Sequence, residues 1–248
     1  MALFPDIKLT VLNVNLSLAD RTGRKGNKLM RDQASLFLHG ATGAGKTTML
    51  ERETGKNAEE LKQISRTIGS EAHLIGQKGE VTYVVDHGGE QRKSFTKSRI
   101  RTLNELKPLA ILLLLDHAPR GRETDQDYKC PNKGALPEDE GHPIRLRFEQ
   151  HIKAISELTW IFQTNPAVGE RCKLVLPIVN KRDAWENMGY TVHIFTDWYF
   201  DALTELTSTL AINRIQWHRP VPMAGQWEGF GQTLDIVREK AGKELMIK

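Results

Sequence analysis

Ser35-Leu36-Phe37-Leu38-His39-Gly40-Ala41-Thr42-Gly43-Ala44-Gly45-Lys46-Thr47-Thr48 is the stretch on which the reading of the whole chain turns. Residues 35–39 are a short apolar strand that runs straight into glycines. From Thr47 onward the chain is rich in Glu, Lys and Leu and reads as a helix. Between strand and helix, Gly40 to Thr47 satisfies G-x-x-x-x-G-K-[ST] in full, in the strand-then-helix context that the pattern requires. Glycines let successive backbone N–H groups converge on phosphate oxygens without Cβ clashes, and the following helix turns its positive N-terminus toward them. Lys46 is then expected to reach the β and γ phosphates and the Thr47 hydroxyl to ligate Mg²⁺. The phosphate-binding set is Gly40, Ala41, Thr42, Gly43, Ala44, Gly45, Lys46, Thr47 and Thr48. The loop by itself does not distinguish ATP from GTP.

Working outward, Asn180-Lys181-Arg182-Asp183 closes the apolar run 174–179, which puts it at the C-terminal end of a sheet strand, where open α/β folds bind ligands. A carboxylate at Asp183 accepts from both guanine N1–H and the exocyclic amine, whereas adenine presents an acceptor at N1. That mismatch would leave a charge unpaired. The Lys181 stem is expected to cover the base face, and Asn180 to tie this loop to the phosphate loop.

The remaining pattern alternates short β-branched runs with longer amphipathic stretches, which implies α/β architecture. Residues 71–75 and 80–85 read as strands joined by Gly76-Gln77-Lys78-Gly79, a connection suited to a hairpin. Residues 109–115 and 173–179 read as buried strands. Between them lie a polar, Pro- and Gly-rich loop over about 117–142 and a helix over about 144–162. A further helix is expected from 195 to 210, a strand over 215–221 and a helix over 230–243. The expectation is a single domain, 1–248, with a three-layer α/β fold. Its mostly parallel six-stranded sheet carries one antiparallel edge hairpin, an N-terminal extension 1–34 with an extra strand at 7–18, and the 117–142 loop as an insertion. Its place between the fourth strand and the next helix puts the insertion far from the chemistry, as a partner-docking loop.

Composition narrows the field. The chain has 248 residues, 39% hydrophobic and 27% charged, enough to bury a core within one domain. The longest apolar run, 109–115, is far shorter than the ~20 residues of a membrane span. The opening Met-Ala-Leu-Phe-Pro-Asp lacks the charged start and apolar run of a secretory signal, and with no myristoylation or prenylation pattern read, neither export nor lipid anchoring is expected. Two cysteines are too few for a disulfide scaffold and fit a reducing, cytoplasmic setting. A net charge of +4 is small for this length, and the basic cluster at 21–31 lacks interleaved aromatics, so nucleic acid is not a favoured partner.

With both ends of the site in place, the chain from about 35 to 243 resembles the Ras superfamily of small GTPases, P-loop GTPases of the TRAFAC class. Its pattern is closest to the ARF-like and MglA-like branches. Asp86-His87-Gly88-Gly89 looks like the D-x-x-G motif, and Thr67-Ile68-Gly69 like the T-I-G of switch I. The resemblance implies that Asp86 holds Mg²⁺ through water, that Thr67 joins Thr47 as a hydroxyl ligand, and that the Gly89 N–H senses the γ-phosphate. It also implies GTP and GDP as ligands and a protein effector and activating protein as partners. Ala224, in Met223-Ala224-Gly225, is the weak counterpart of the guanine-oxygen contact. Asp116, at the end of the fourth strand, has proline at the glycine position of D-x-x-G and is set aside as a metal residue.

One departure bears on mechanism. Where the family places the water-orienting glutamine, this chain has Glu90, followed by Gln91. A carboxylate beside the γ-phosphate is repelled, so slow intrinsic hydrolysis is expected, with Gln91 or a partner's residue as substitute. The catalytic set is thus Lys46, Thr67, Gly89, Glu90 and Gln91. Three other readings stay open: a GTP-binding module with little turnover, an RNA- or ribosome-associated GTPase, and a small-molecule kinase sharing the phosphate loop.

Overall fold

The computed structural model describes residues 35–53, 70–77, 80–87, 93–119, 121–130, 132, 134–223, 236–237 and 239–240. Its elements are β1 (Ser35–Gly40), α1 (Lys46–Glu53), β2 (Ser70–Gln77), β3 (Glu80–His87), α2 (Lys93–Leu106) and β4 (Ala110–Leu115). There follow a 3₁₀ turn at Gln126–Tyr128, α3 (Pro143–Thr164), α4 (Pro166–Gly169), β5 (Leu174–Val179), α5 (Arg182–Glu186), α6 (Val192–Trp198), α7 (Phe200–Ile212), β6 (Gln216–Trp217) and β7 (Val221–Pro222).

Every residue of β4 and of β5 is buried, as strands covered on both faces must be, and their sequences AILLLL and LVLPIV are accordingly near-continuous apolar runs. The two-residue period sorts them onto opposite sides. Phe37, Ile111, Leu113, Val175 and Val179 join α3 residues Ile155, Leu158 and Phe162 and α7 residues Leu206 and Leu210 in one core. Leu36, Leu38, Leu112, Leu114, Leu176 and Ile178 meet Met49 of α1 and Val237 in the other. The molecule is therefore a three-layer α/β fold. The strand order is β2-β3-β1-β4-β5-β6, with β1, β3, β4 and β5 parallel and β2 antiparallel to β3.

Three elements differ from the sequence reading. The strand expected over 215–221 is two short pieces, β6 and β7, which pair with opposite ends of β5 and leave Leu176 and Pro177 without a partner on that edge. Prolines on both sides of the gap cause it. The N–H groups of Gln216 and His218 donate to the Lys173 and Val175 carbonyls, Pro220 has none to continue the series, and Pro177 has none to return. The helix expected over 195–210 is split at Tyr199 (φ −100, ψ 8), whose buried ring stacks on Phe148 at 5.1 Å. Helix α2 was not anticipated at all. Its Arg99 is buried and paired with Glu157 of α3, and the basic surface of this segment masks the helical spacing of Ile100, Leu103 and Leu106.

The N-terminal extension with its strand at 7–18, and the helix over 230–243 apart from its few described residues, lie outside the described part. Among the described residues, no helix is long and apolar enough to cross a membrane.

Candidate functional site

The phosphate loop leaves β1 at its C-terminal end, beside the ends of β3 and β4. Gly40 has φ +147, and a Cβ there would stand 2.5 Å from the Leu114 carbonyl oxygen, so only glycine lets β1 come this close to β4 as it turns. Gly43 and Gly45 follow with φ of +80 and +95. Helix α1 begins at Lys46, and the Met49 N–H donates to the Gly45 carbonyl at 2.9 Å.

Five successive loop carbonyls each accept a bond from a side chain. Lys46 Nζ donates to Gly40 O at 3.0 Å and to Ala41 O at 3.1 Å. Arg147 Nη1 donates to Thr42 O at 2.7 Å, Lys181 Nζ to Gly43 O at 3.5 Å, and Asn180 Nδ2 to Ala44 O at 2.9 Å. In a trans peptide the N–H points opposite to the C=O, so carbonyls drawn toward Arg147 and Asn180 turn the N–H groups of Gly43 and Gly45 to the other side. Two N–H groups turned to one side ahead of a helix N-terminus suit an anion. Thr47 and Thr48 stand half-buried in the first turn of α1.

Asn180 and Lys181 arrive from the end of β5. Asn180 N–H donates to Leu115 O, and its Oδ1 accepts the Lys181 N–H at 2.7 Å. Lys181 adopts a left-handed backbone (φ +62) that turns the strand end into α5. Trp185 Nε1 caps the Asn180 carbonyl at 2.8 Å from one turn further on. Asp183 sits exposed in the first turn of α5. The end of β7 borders the same loop, since Arg182 N–H donates to Met223 O.

Behind both loops stands Asp116, fully buried. Its Oδ1 accepts from Arg147 Nε at 2.7 Å and lies 2.7 Å from His151 Nε2, and its Oδ2 is 2.6 Å from Lys181 Nζ. Burial alone would raise this carboxyl's pKa, but Arg147, Lys181 and His151 outweigh it and hold the group well below the usual carboxylate range. Asp116 is thus committed to a clamp, which accords with setting it aside as a metal residue. Burial, reinforced by Arg147, pushes His151 down to about 4, and burial and the nearby Lys181 push His117 to about 4. His39, next to the phosphate loop, is lowered to about 3 by burial and then by Arg99, while its Nε2 donates to Ala154 O at 2.7 Å.

The structure brings Gly40 through Thr48, Asn180, Lys181 and Asp183 to one end of the sheet. Asp86 lies at that end too, near the C-terminus of β3 and in register with Leu38 of β1. Thr67, Gly89, Glu90, Gln91 and Ala224 lie outside the described residues. The 117–142 segment, expected to lie far from the chemistry, reaches Lys181. The Ala118 carbonyl accepts from Lys181 Nζ, and Glu123 Oε1 is 3.1 Å from the same ammonium. The backbone after β4 must cross the C-terminal ends of the strands, where Lys181 stands, before it reaches α3.

Arg147, His151, Glu123 and Trp185 were missed from sequence. A signal existed for two of them. Ile144, Arg147, His151, Ile155 and Leu158 share one stripe of α3 at helical spacing, so Arg147 and His151 occupy core-facing positions that demand partners.

No protein-family model matches the chain, and no curated protein matches it. Solved structures similar to it include a bacterial selenocysteine-specific elongation factor EF-Sec, at 16% identity and a TM-score of 0.47, covering 84% of this chain and 28% of that one. Another is the translation elongation factor SelB from Methanococcus maripaludis in complex with the GTP analogue GppNHp, at 10% identity and a TM-score of 0.45, covering 84% of this chain and 34% of that one. The chain therefore spans about a third or less of the length of these structures.

Proposed function

We propose that this chain binds guanine nucleotide with Mg²⁺ and hydrolyses GTP slowly, acting as a switch that protein partners read. The observation that carries the reading is the junction of the two loops. Asn180, expected to tie the base motif to the phosphate loop, and Lys181, expected to cover the base face, are the residues whose side chains hold the Ala44 and Gly43 carbonyls of that loop. A base against Lys181 and phosphates against Gly43 to Thr48 then belong to one ligand.

In this reading Lys46, already at the mouth of the loop on the Gly40 and Ala41 carbonyls, exchanges those contacts for the β and γ phosphates. Asp183 selects guanine. Hydroxyls of Thr47 and Thr67 with the Asp86 carboxylate are hard oxygen donors that suit Mg²⁺, which would supply charge neutralisation at the phosphates. Gly89 senses the γ-phosphate. Hydrolysis is in-line attack by water on the γ-phosphorus, and with Glu90 where a neutral side chain would orient that water, turnover is slow unless Gln91 or a partner's residue replaces it.

Titration with fluorescent GDP, GTP and ATP analogues, with Mg²⁺ and with EDTA, tests the proposal. Submicromolar Mg²⁺-dependent guanine binding is expected, lost in Lys46→Ala and moved toward xanthine nucleotides in Asp183→Asn. Equal affinity for ATP and GTP, or no binding, rejects it.

A further inference from the structure

Lys181 is the residue along whose stem the base rests in the reading above, and its ammonium is fixed by groups from outside its own loop. Asp116 Oδ2 lies 2.6 Å away, the Ala118 carbonyl accepts from it, and Glu123 Oε1 lies at 3.1 Å. The first two belong to the buried end of β4 and the residues just after it. Glu123 belongs to the insertion, and its side chain is 21% exposed.

The charge count makes Glu123 necessary. Asp116 is already engaged through Oδ1 by Arg147, which is itself 2% exposed, so one carboxylate faces two buried cations, Arg147 and Lys181. Glu123 supplies the second anion and brings the cluster to neutrality. A buried cation without its counter-charge is costly, and the mobile member of this set is Lys181, whose four-carbon stem has other rotamers.

The segment that carries Glu123 is held on its own account. Arg122 N–H donates to Pro119 O and Asp125 N–H to Arg122 O, both at 3.1 Å, and Arg122 Nη1 pairs with Asp125 Oδ2 at 2.8 Å. Farther along, Trp198 Nε1 of α6 donates to the Gly134 carbonyl at 2.8 Å, and Tyr128 and Leu136 pack on the core. The insertion is thus seated on α6 at one end and on the base loop at the other.

We infer that Glu123 is a positioning residue for nucleotide retention, balancing the charge around Lys181 and holding its stem over the face on which the base rests. The inference depends on the guanine-nucleotide reading. It places the insertion inside the base site's wall, so that displacing the segment around Glu123 loosens the nucleotide.

The test is the dissociation rate of a fluorescent GDP analogue, chased with excess GDP, from the full chain and its variants. Glu123→Gln is expected to release the analogue about tenfold faster, the worth of one charge-assisted contact, with Glu123→Asp between it and the parent. In a Lys181→Met background the same Glu123→Gln change is expected to leave the rate unmoved, because the residue through which Glu123 acts is gone. If the parent protein binds the GDP analogue and Glu123→Gln releases it at the parental rate, the inference alone is overturned. An equal acceleration in the Lys181→Met background overturns it too, since the effect would then run through folding. If the parent binds no guanine nucleotide, the functional reading itself fails.

Discussion

In the proposed site the phosphate end is shaped by glycine backbone and the base end by charged side chains. At the phosphate end, three glycines with positive φ bend the chain. At the base end, Asn180 and Lys181 would make an ordinary strand terminus were they not held by Asp116 at the end of β4, Glu123 of the insertion and Trp185 of α5. Arg147 of α3 joins the two, with one nitrogen on the Thr42 carbonyl and the others on Asp116. Each end is therefore vulnerable in its own way. A backbone-built end fails when an atom is added; a charge-built end fails when one is removed.

The largest expected effect is therefore at Asp116. Asp116→Ala leaves Arg147 and Lys181 buried against each other with only the partly exposed Glu123 to compensate, and a loss of about 3–5 kcal/mol is expected in urea unfolding. Asp116→Asn, which keeps an acceptor for Arg147 but not the charge, is expected to fall between. Should Asp116→Ala cost under ~1 kcal/mol, the base end is not held by charge and the comparison breaks.

Gly40→Ala probes the other end, with a smaller cost. The added Cβ stands 2.5 Å from the Leu114 carbonyl oxygen, and the backbone is at φ +147. About 2 kcal/mol is expected in the same unfolding experiment, since either β1 moves off β4 or the loop leaves its bend. Gly121→Ala is the control. It has φ +81 but no atom within 4 Å of the added Cβ, so it bears the backbone strain alone, about 1 kcal/mol. Equal costs at the two glycines would mean that the close approach of the strands does not matter.

The same contrast decides what the sequence disclosed. Gly40, Gly43 and Gly45 act within a dozen residues, so their spacing displayed the loop before any fold was known. The strands β4 and β5 were legible for a related reason, since burial on both faces leaves no position for a polar residue. The clamp was not legible. Asp116, Glu123, Arg147 and Lys181 come from separate parts of the chain, and although the sequence put Lys181 at the base motif and Asp116 at a strand end, nothing in it paired them. Arg147 and His151 on the apolar stripe of α3 were the one trace, and it identified residues in need of partners without naming them. The break between β6 and β7 did leave a trace, since Pro220 stands in the gap, whereas Pro177 acts on a partner strand and its part shows only in the register.

Acid yields the smallest effect per residue and tests the same contrast by counting protons. His151 and His117 at the base end are each lowered to about 4, and His39 beside the phosphate loop to about 3. A histidine held neutral in the fold gives stability that is complete above its unfolded pKa of about 6.5 and is lost as pH falls toward the folded value, because only the unfolded chain takes up the proton. From pH 7 to 5.5 each such histidine is expected to cost about 1 kcal/mol, with two of the three shares arising at the base end. Asp116, whose carboxyl is depressed, adds nothing in this window and gives way only at more acid pH. Urea unfolding midpoints across that range, for the parent and for His151→Gln, measure the share of one histidine: the variant should lose about 1 kcal/mol less than the parent. An unchanged slope would mean that His151 is free to take its proton beside Asp116, and that the base end tolerates a third positive charge that its two carboxylates do not need to answer.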